Sequence, residues 1–157
     1  MVINKWINGE VLSYSNINSL GHIAIGLAQF LKELQSIDAS NGSMAGTHNF
    51  YRGGLLKVYN DETINALDNL ENIFPTKELR KVCEKALESK WNRKPVWVHG
   101  DVAVGNLLVN NGEISAVIDF GILGTGDPAC DYVMTWTFFD KKSRDIFKQK
   151  LMYDDET

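Results

Sequence analysis

Apolar residues recur every three or four positions early in the chain, and this spacing predicts an amphipathic helix over residues 17–37. Residues 38–59 contain glycine and serine early and a glycine pair late, which predicts a long loop that is locally folded or functional. Two more helices are expected to follow, capped by Asp61 and Thr76. Their apolar positions are Ile64, Leu67, Leu70, Leu79, Val82, Ala86 and Leu87.

The middle of the chain changes from helical spacing to short apolar runs. Residues 96–98 form one run, and residues 107–109 and 114–118 flank an Asn111-Gly112 pair. Asn-Gly between two apolar runs is a strong signal for a β-hairpin. A strand followed by a tight hairpin is therefore predicted here.

Helix signals return after the hairpin. Asp127 followed by Pro128 marks the start of a helix that should run to about residue 139. Asp140 then opens a last helix, whose apolar residues are Ile146, Phe147 and Leu151. The predicted fold is mainly α with a small β-hairpin, an α+β class in a single domain.

Composition narrows the class of protein. A net charge of −4 with scattered basic residues gives no support to a nucleic acid or an anionic membrane as the main partner. The chain has no run of 18 apolar residues and no signal-peptide organisation, so a cytoplasmic protein is expected. Cys83 and Cys130 lack a CxxC partner, which predicts buried free thiols in a reducing compartment.

Three polar side chains stand at the ends of the predicted strands: Asp101, Asn106 and Asp119. Phosphoryl transfer uses one carboxylate to orient and deprotonate a hydroxyl, and an amide with a second carboxylate to hold magnesium on nucleotide phosphates. Asp119 closes an apolar strand, where an unpaired carboxylate is costly unless a cation or donors satisfy it. We therefore predict Asp101 as the catalytic base and Asn106 and Asp119 as ligands of Mg²⁺.

The order Asp-x4-Asn followed by Asp-Phe-Gly is that of the catalytic and metal-binding loops of protein kinases. His99-Gly100-Asp101 stands where protein kinases carry His-Arg-Asp. Together with Gly-Asp-Pro-Ala-Cys-Asp at residues 126–131, these motifs make the chain resemble the aminoglycoside phosphotransferase family, kinase relatives that act on small molecules. Residues 48–54 and 95–101 look like one bacterial branch of that family, and the likeness runs from about Trp6 to the C-terminus.

The resemblance implies that residues 1–157 are the C-terminal lobe of a protein-kinase-like fold, with the interlobe hinge at residues 1–10. ATP would be the phosphoryl donor, and the backbone at Lys5 and Trp6 would contact its adenine. The acceptor would be a hydroxyl of a small molecule such as an aminoglycoside antibiotic, which associates the family with antibiotic resistance. Relatives have an N-terminal lobe and further C-terminal helices, so this chain is expected to be truncated at both ends and inactive alone.

The resemblance also assigns supporting roles. It implies that His99 forms structural hydrogen bonds in the catalytic loop and that Asp131 braces this loop from behind. Arg52 is either a salt-bridge partner or a substrate-side anchor. A polycationic acceptor requires acidic residues in its cleft, for which the candidates are Glu10, Asp38, Asp127 and residues 154–156.

Other expectations remain open. Residues 121–126 are glycine-rich but lack the pattern of a phosphate-binding loop, so a turn is predicted, and Phe120 is predicted to pack in the core. The helix from Asp127 holds more apolar side chains than one face can bury, which predicts a homo-oligomer. One alternative function is a non-catalytic binding module. Another is a metal-dependent hydrolase that uses His99, Asp101 and Asp119.

Overall fold

A computed structural model of the protein describes residues 6–151. Its α-helices are α1 (Leu20–Ser36), α2 (Asn60–Leu70), α3 (Thr76–Glu88), α4 (Met134–Thr137) and α5 (Lys141–Leu151). Its strands are β1 (Glu10–Val11), β2 (Val96–Val98), β3 (Leu107–Asn110), β4 (Glu113–Val117) and β5 (Gly124–Gly126). Short 3-10 helices occupy Thr47–Asn49, Leu56–Tyr59, Val104–Asn106 and Pro128–Tyr132. The predicted class, mainly α with a little β, is confirmed.

Helix α1 forms the centre of the hydrophobic core, as its periodicity predicts. The side chain of Ser19 accepts a hydrogen bond from the backbone N–H of His22 (3.1 Å) and sets the start of the helix. The buried face packs against α5, β2 and β4, and each large side chain buried there contributes about 1.5–3 kcal/mol. Fully buried residues of this face are Ile23, Ala24, Leu27, Ala28 and Leu31.

The predicted hairpin is confirmed as β3 and β4. Asn111 (φ 53°) and Gly112 (φ 81°) both adopt the left-handed conformation that a two-residue turn of this kind requires. The Asn18 side chain donates a hydrogen bond to the carbonyl of Asn111 (3.0 Å), which ties the turn to the chain just before α1. Strand β1 adds antiparallel to β3, so the hairpin is part of a three-stranded sheet.

The glycine-rich segment after Asp119 is only partly a turn, so that prediction is wrong for its second half. Residues Gly124–Gly126 form β5, which pairs antiparallel with β2. Residues 43–53 pack closely against this strand, because a Cβ on Gly126 would lie 2.1 Å from the carbonyl oxygen of Gly53. The backbone N–H of Asp127 donates to the same carbonyl (2.9 Å). Because Gly126 has no side chain, the backbone of β5 can lie close to the backbone of Gly53.

Two predicted helix starts are wrong. Asp61 lies inside the first turn of α2, which begins at Asn60, and Thr76 is the first residue of α3. Neither helix has a side-chain cap, since the preceding residues are Tyr59 and Pro75. Because α2 follows directly on a 3-10 helix, its first N–H groups have backbone acceptors in the preceding turn.

The segment after Asp127 also differs from one continuous helix. The Asp127 side chain accepts a hydrogen bond from the N–H of Ala129 (2.8 Å) and caps a 3-10 helix, as the Asp-Pro pair predicts. The chain adopts α-helical geometry only at Met134. The sequence does not predict this change, because apolar residues spaced three to four apart are compatible with both the 3-10 helix and the α-helix. Asp140 caps α5 by accepting from the N–H of Ser143 (2.8 Å), as expected.

Helices α2 and α3 pack mainly on each other and leave much apolar surface exposed. Ile64 is 42% exposed, Leu79 48% and Val82 65%. Cys83 and Cys130 are free, as predicted, but half-buried rather than buried. Within residues 6–151, no helix has both the length and the hydropathy that are needed to span a membrane.

Candidate active site

Asp101 lies three residues after β2, and Asn106 ends the 3-10 helix that leads into β3. The side-chain nitrogen of Asn106 donates to the Asp101 carboxylate (Oδ2, 3.0 Å) and to its backbone carbonyl (2.9 Å). Asp101 is exposed, and the second oxygen of its carboxylate accepts no hydrogen bond from residues 6–151. Asn106 thus orients one side of the carboxylate and leaves the other open to a ligand.

Asp119 follows β4 with a left-handed backbone conformation (φ 64°), which is strained for a residue with a side chain. Its carboxylate is exposed and accepts a long hydrogen bond from the N–H of Gly121 (3.4 Å). The N–H of Ile118 donates to the backbone carbonyl of Asn106 (2.9 Å), so the chain segments that carry Asn106 and Asp119 are bonded to each other. The structure therefore brings Asp101, Asn106 and Asp119 to one edge of the molecule.

This donor set fits Mg²⁺. Because the nitrogen of the Asn106 amide donates to Asp101, its oxygen Oδ1 remains available as a neutral ligand, and Asp119 on the bonded neighbouring segment adds a carboxylate. Magnesium is usually held by one or two protein oxygens together with substrate phosphates and water. No group of three His, Cys, Asp or Glu side chains in the described residues could form an all-protein cage.

His99 is completely buried, and both of its ring nitrogens are in use. Nε2 lies 3.0 Å from the carbonyl oxygen of Ile118, and Nδ1 accepts the N–H of Asp101 (3.2 Å). A carbonyl only accepts and an N–H only donates, so the ring proton sits on Nε2. The ring packs against Phe120 at 4.6 Å between centroids. His99 has no nitrogen left for a metal, so the structure gives the hydrolase alternative no support.

Asp131 lies behind the loop of residues 99–101. Its buried carboxylate accepts the N–H of His99 (Oδ2, 2.8 Å) and the N–H of Gly100 (Oδ1, 2.8 Å). Burial raises the pKa of Asp131 above its usual value, while the two backbone hydrogen bonds oppose that change. Gly100 has φ 85°, and a Cβ there would lie 2.9 Å from the carbonyl oxygen of Ile122. The loop before Asp101 therefore has little room to move.

Trp6 is not brought to these side chains. It is 84% exposed and precedes β1, whose Glu10 pairs with Val109 toward the turn end of the hairpin. Lys5 and the acidic residues 154–156 lie outside the described residues. Phe120 is 42% exposed and packs only partly, against His99 and Phe30, so its predicted place in the core is wrong.

The segment of residues 46–54 reaches the loop before Asp101, which the sequence does not predict: a Cβ on Gly100 would lie 3.3 Å from the Cβ of Arg52. The buried side chain of Asn49 accepts the N–H of Gly46 (3.0 Å) and donates to the carbonyl of Arg52 (3.1 Å). Between these two bonds, Phe50 (φ 51°) and Tyr51 (φ 57°) adopt left-handed conformations. Aromatic residues give no sequence signal for a left-handed backbone. The sequence therefore points to this segment only through the family-like motif of residues 48–54.

Comparison with known proteins gives a consistent result. The sequence model described as "Phosphotransferase enzyme family" matches residues 1–155. Aminoglycoside 3'-phosphotransferase from Escherichia coli is 26% identical over 130 residues, which cover 82% of this chain and 47% of the relative. The chain therefore spans about half the length of the curated relatives it matches. The predicted family resemblance is confirmed.

Solved structures give the same fold. Aminoglycoside 2'-phosphotransferase-IIIa with GDP aligns with a TM-score of 0.64 and 20% identity, covering 96% of this chain and 54% of that one. APH(2")-IIa with streptomycin and ATP aligns with a TM-score of 0.58 and 22% identity, over 95% and 55% of the two chains. At such identities the likeness shows the fold alone, and it confirms the predicted kinase-like class.

Proposed function

The chain belongs to the phosphotransferase enzyme family, and we propose that it carries the catalytic side chains of an ATP- and magnesium-dependent enzyme that phosphorylates a hydroxyl of a small molecule. The observation that carries the proposal is the bonded arrangement of Asp101, Asn106 and Asp119 at one edge of the fold. Aminoglycosides, which appear in the names of the relatives, are the first acceptors to test.

Asp101 is the base in this proposal. The open oxygen of its carboxylate takes the proton of the acceptor hydroxyl, whose oxygen forms a bond to the γ-phosphorus of ATP. The bond between that phosphorus and the bridging oxygen breaks, and ADP leaves with the electron pair. Asn106 fixes the carboxylate by donating to its other oxygen, and general-base assistance of this kind typically contributes 10²–10⁴-fold in rate.

Asn106 Oδ1 and the Asp119 carboxylate would hold Mg²⁺. When bound, the ion neutralises charge on the phosphates, which is the main requirement of phosphoryl transfer. The contact of adenine with the backbone at Lys5 and Trp6 stays a proposal that follows from the family resemblance. His99 and Asp131 would keep the backbone of the catalytic loop in position.

The test uses the natural full-length protein that contains this chain, with Asp101→Asn and Asp119→Ala as variants. We expect both to lose turnover, measured as ADP release with a panel of hydroxyl acceptors. Asp101→Asn should keep its affinity for Mg-ATP, whereas Asp119→Ala should lose affinity because a metal ligand is gone. Asp145→Asn, an exposed carboxylate on α5, is the matched control.

Three results would count against this proposal. Equal losses of Mg-ATP affinity in both variants would show that the base and the ligand are wrongly assigned. Undiminished turnover in both variants would exclude these residues from the chemistry. A wild-type protein that binds Mg-ATP but phosphorylates no acceptor would be the non-catalytic binding module.

A further inference from the structure

Arg52 differs from the other arginines of the chain. Arg80 forms an ion pair with Asp68 (2.6 Å), and the guanidinium groups of Arg93 and Arg144 lie over Trp91 and Trp136. Arg52 is exposed, and its guanidinium has no ion pair or hydrogen bond within residues 6–151. Of its two predicted roles, the salt bridge is therefore not formed by the described residues.

The backbone places Arg52 beside the catalytic loop. A Cβ built on Gly100, the residue before Asp101, would lie 3.3 Å from the Cβ of Arg52. Arg52 is held there from both sides, because its N–H and its carbonyl both bond to Asn49 (3.0 and 3.1 Å). The next residue, Gly53, accepts the N–H of Asp127. An exposed cation is thus anchored by its backbone next to the proposed base.

The anchoring has an energetic cost. Phe50 (φ 51°) and Tyr51 (φ 57°), directly before Arg52, both have left-handed backbones, which are unfavourable for residues with a side chain. Strained conformations of this kind persist where the surrounding contacts enforce them, and they concentrate at ligand sites. The fully buried Asn49 supplies that enforcement here. Directly after this strained turn, Arg52 packs beside Gly100.

The Arg52 guanidinium is available to an anion, because no described carboxylate forms an ion pair with it. Arg52 and Ile122 lie beside Gly100, and the segments that contain them, residues 39–60 and 120–126, have no carboxylate. Of the acidic candidates, Asp127 accepts the N–H of Ala129, and Asp38 accepts the N–H and hydroxyl of Ser40. Glu10 lies toward the turn end of the hairpin. The carboxylates of Asp127 and Asp38 thus accept donors of their own segments, whereas none of the described carboxylates lies within ion-pair distance of the Arg52 guanidinium.

We propose that Arg52 forms an anion-binding subsite beside Asp101, so that the acceptor of phosphoryl transfer carries a carboxylate or phosphate group near its reacting hydroxyl. This inference rests on the proposed function and narrows its substrate class away from polycationic aminoglycosides. A guanidinium binds either anion through paired N–H donors, which an ammonium group or a neutral amide does not reproduce.

The first test is binding without nucleotide, so it does not depend on catalysis. In the natural full-length protein, amide NMR signals of Gly53, Gly54 and Gly100 are followed during titration with glycerol, glycerate, glycerol 3-phosphate and kanamycin. We expect the two anions to shift these signals and glycerol and kanamycin to leave them in place. Arg52→Gln should weaken anion binding roughly tenfold or more, and Arg52→Lys should restore part of it. Lys57→Gln, which removes an exposed cation of the same loop, is the matched control.

Anion shifts that survive Arg52→Gln, or shifts produced by kanamycin instead, would overturn the subsite. Wild-type signals elsewhere in the Arg52→Gln spectrum show that the fold is kept. The second test is kinetic: for an anionic acceptor, Arg52→Gln should raise KM far more than it lowers kcat. A loss confined to kcat would place Arg52 on the transferred phosphoryl group and also overturn the proposal. Failure of all turnover would refute the proposed function, while the binding result still decides the subsite.

Discussion

Replacement of Asp131 by asparagine tests how the loop of residues 99–101, which carries the proposed base, is held in place. The carboxylate accepts two backbone N–H groups at 2.8 Å, from His99 and Gly100, in a fully buried position. Asparagine has one acceptor oxygen, so its NH₂ group would face one of these donors and leave that N–H unsatisfied. A buried unsatisfied donor costs about 1–3 kcal/mol.

The net effect is smaller than the sum of two lost charged hydrogen bonds. Burial raises the pKa of Asp131, which means that ionisation of this carboxyl already costs free energy in the folded state. Because Asp131→Asn removes the charge, the folded variant avoids the part of the free-energy cost that comes from ionisation of a buried carboxyl. We expect Asp131→Asn to lower the free energy of unfolding by about 2 kcal/mol at neutral pH, which corresponds to a fall in Tm of roughly 4–8 °C.

The pH dependence has a defined sign. Because the pKa of Asp131 is higher in the folded state than its ordinary value of 3.8, the stability that the group contributes is complete below that value. This contribution declines as the pH rises through the folded pKa. The difference in stability between wild type and Asp131→Asn should therefore narrow as the pH rises from acidic to neutral.

Thermal and denaturant unfolding of the two proteins at several pH values measures both effects. Asp145→Asn, an exposed carboxylate on α5, should change stability by no more than about 0.5 kcal/mol. An Asp131→Asn variant with wild-type Tm would show that the two N–H groups find other acceptors. A stability difference that widens with rising pH would show that the ionised carboxylate, rather than the neutral acid, is favoured by folding.

Further predictions concern packing and association. Gly126→Ala should lower Tm markedly, because its Cβ would lie 2.1 Å from the Gly53 carbonyl oxygen. The control Gly105→Ala, whose Cβ would have no neighbour within 4 Å, should leave Tm unchanged, and equal melting curves for the two variants would contradict this prediction. Asn49→Ala should destabilise the fold by about 1–3 kcal/mol, since the partly buried N–H of Gly46 and carbonyl of Arg52 both lose their partner, and unchanged unfolding would count against it. Because α2 and α3 expose an apolar surface, light scattering should show an assembly larger than 17.6 kDa that Val82→Lys weakens; a monomer at high concentration would refute this.

The sequence by itself determined the elements whose information is local. Helix α1 follows from apolar residues that repeat along one face, and the hairpin follows from Asn111-Gly112 between two apolar runs. The sequence also predicts that Asn106 and Asp119 lie near each other, because a hairpin brings the start of its first strand next to the end of its second. These features depend on periodicity and turn chemistry, which operate over a few residues.

Only the tertiary structure decided which distant segments meet. Strand β5 pairs with β2 over a separation of more than twenty residues, and residues of the long loop pack on it because its glycines allow close backbone approach. The positions of Arg52 beside Gly100 and of the Asp131 carboxylate behind His99 depend on the same long-range packing. No local pattern encodes such contacts, since their free energy comes from groups that become neighbours only after the chain has folded.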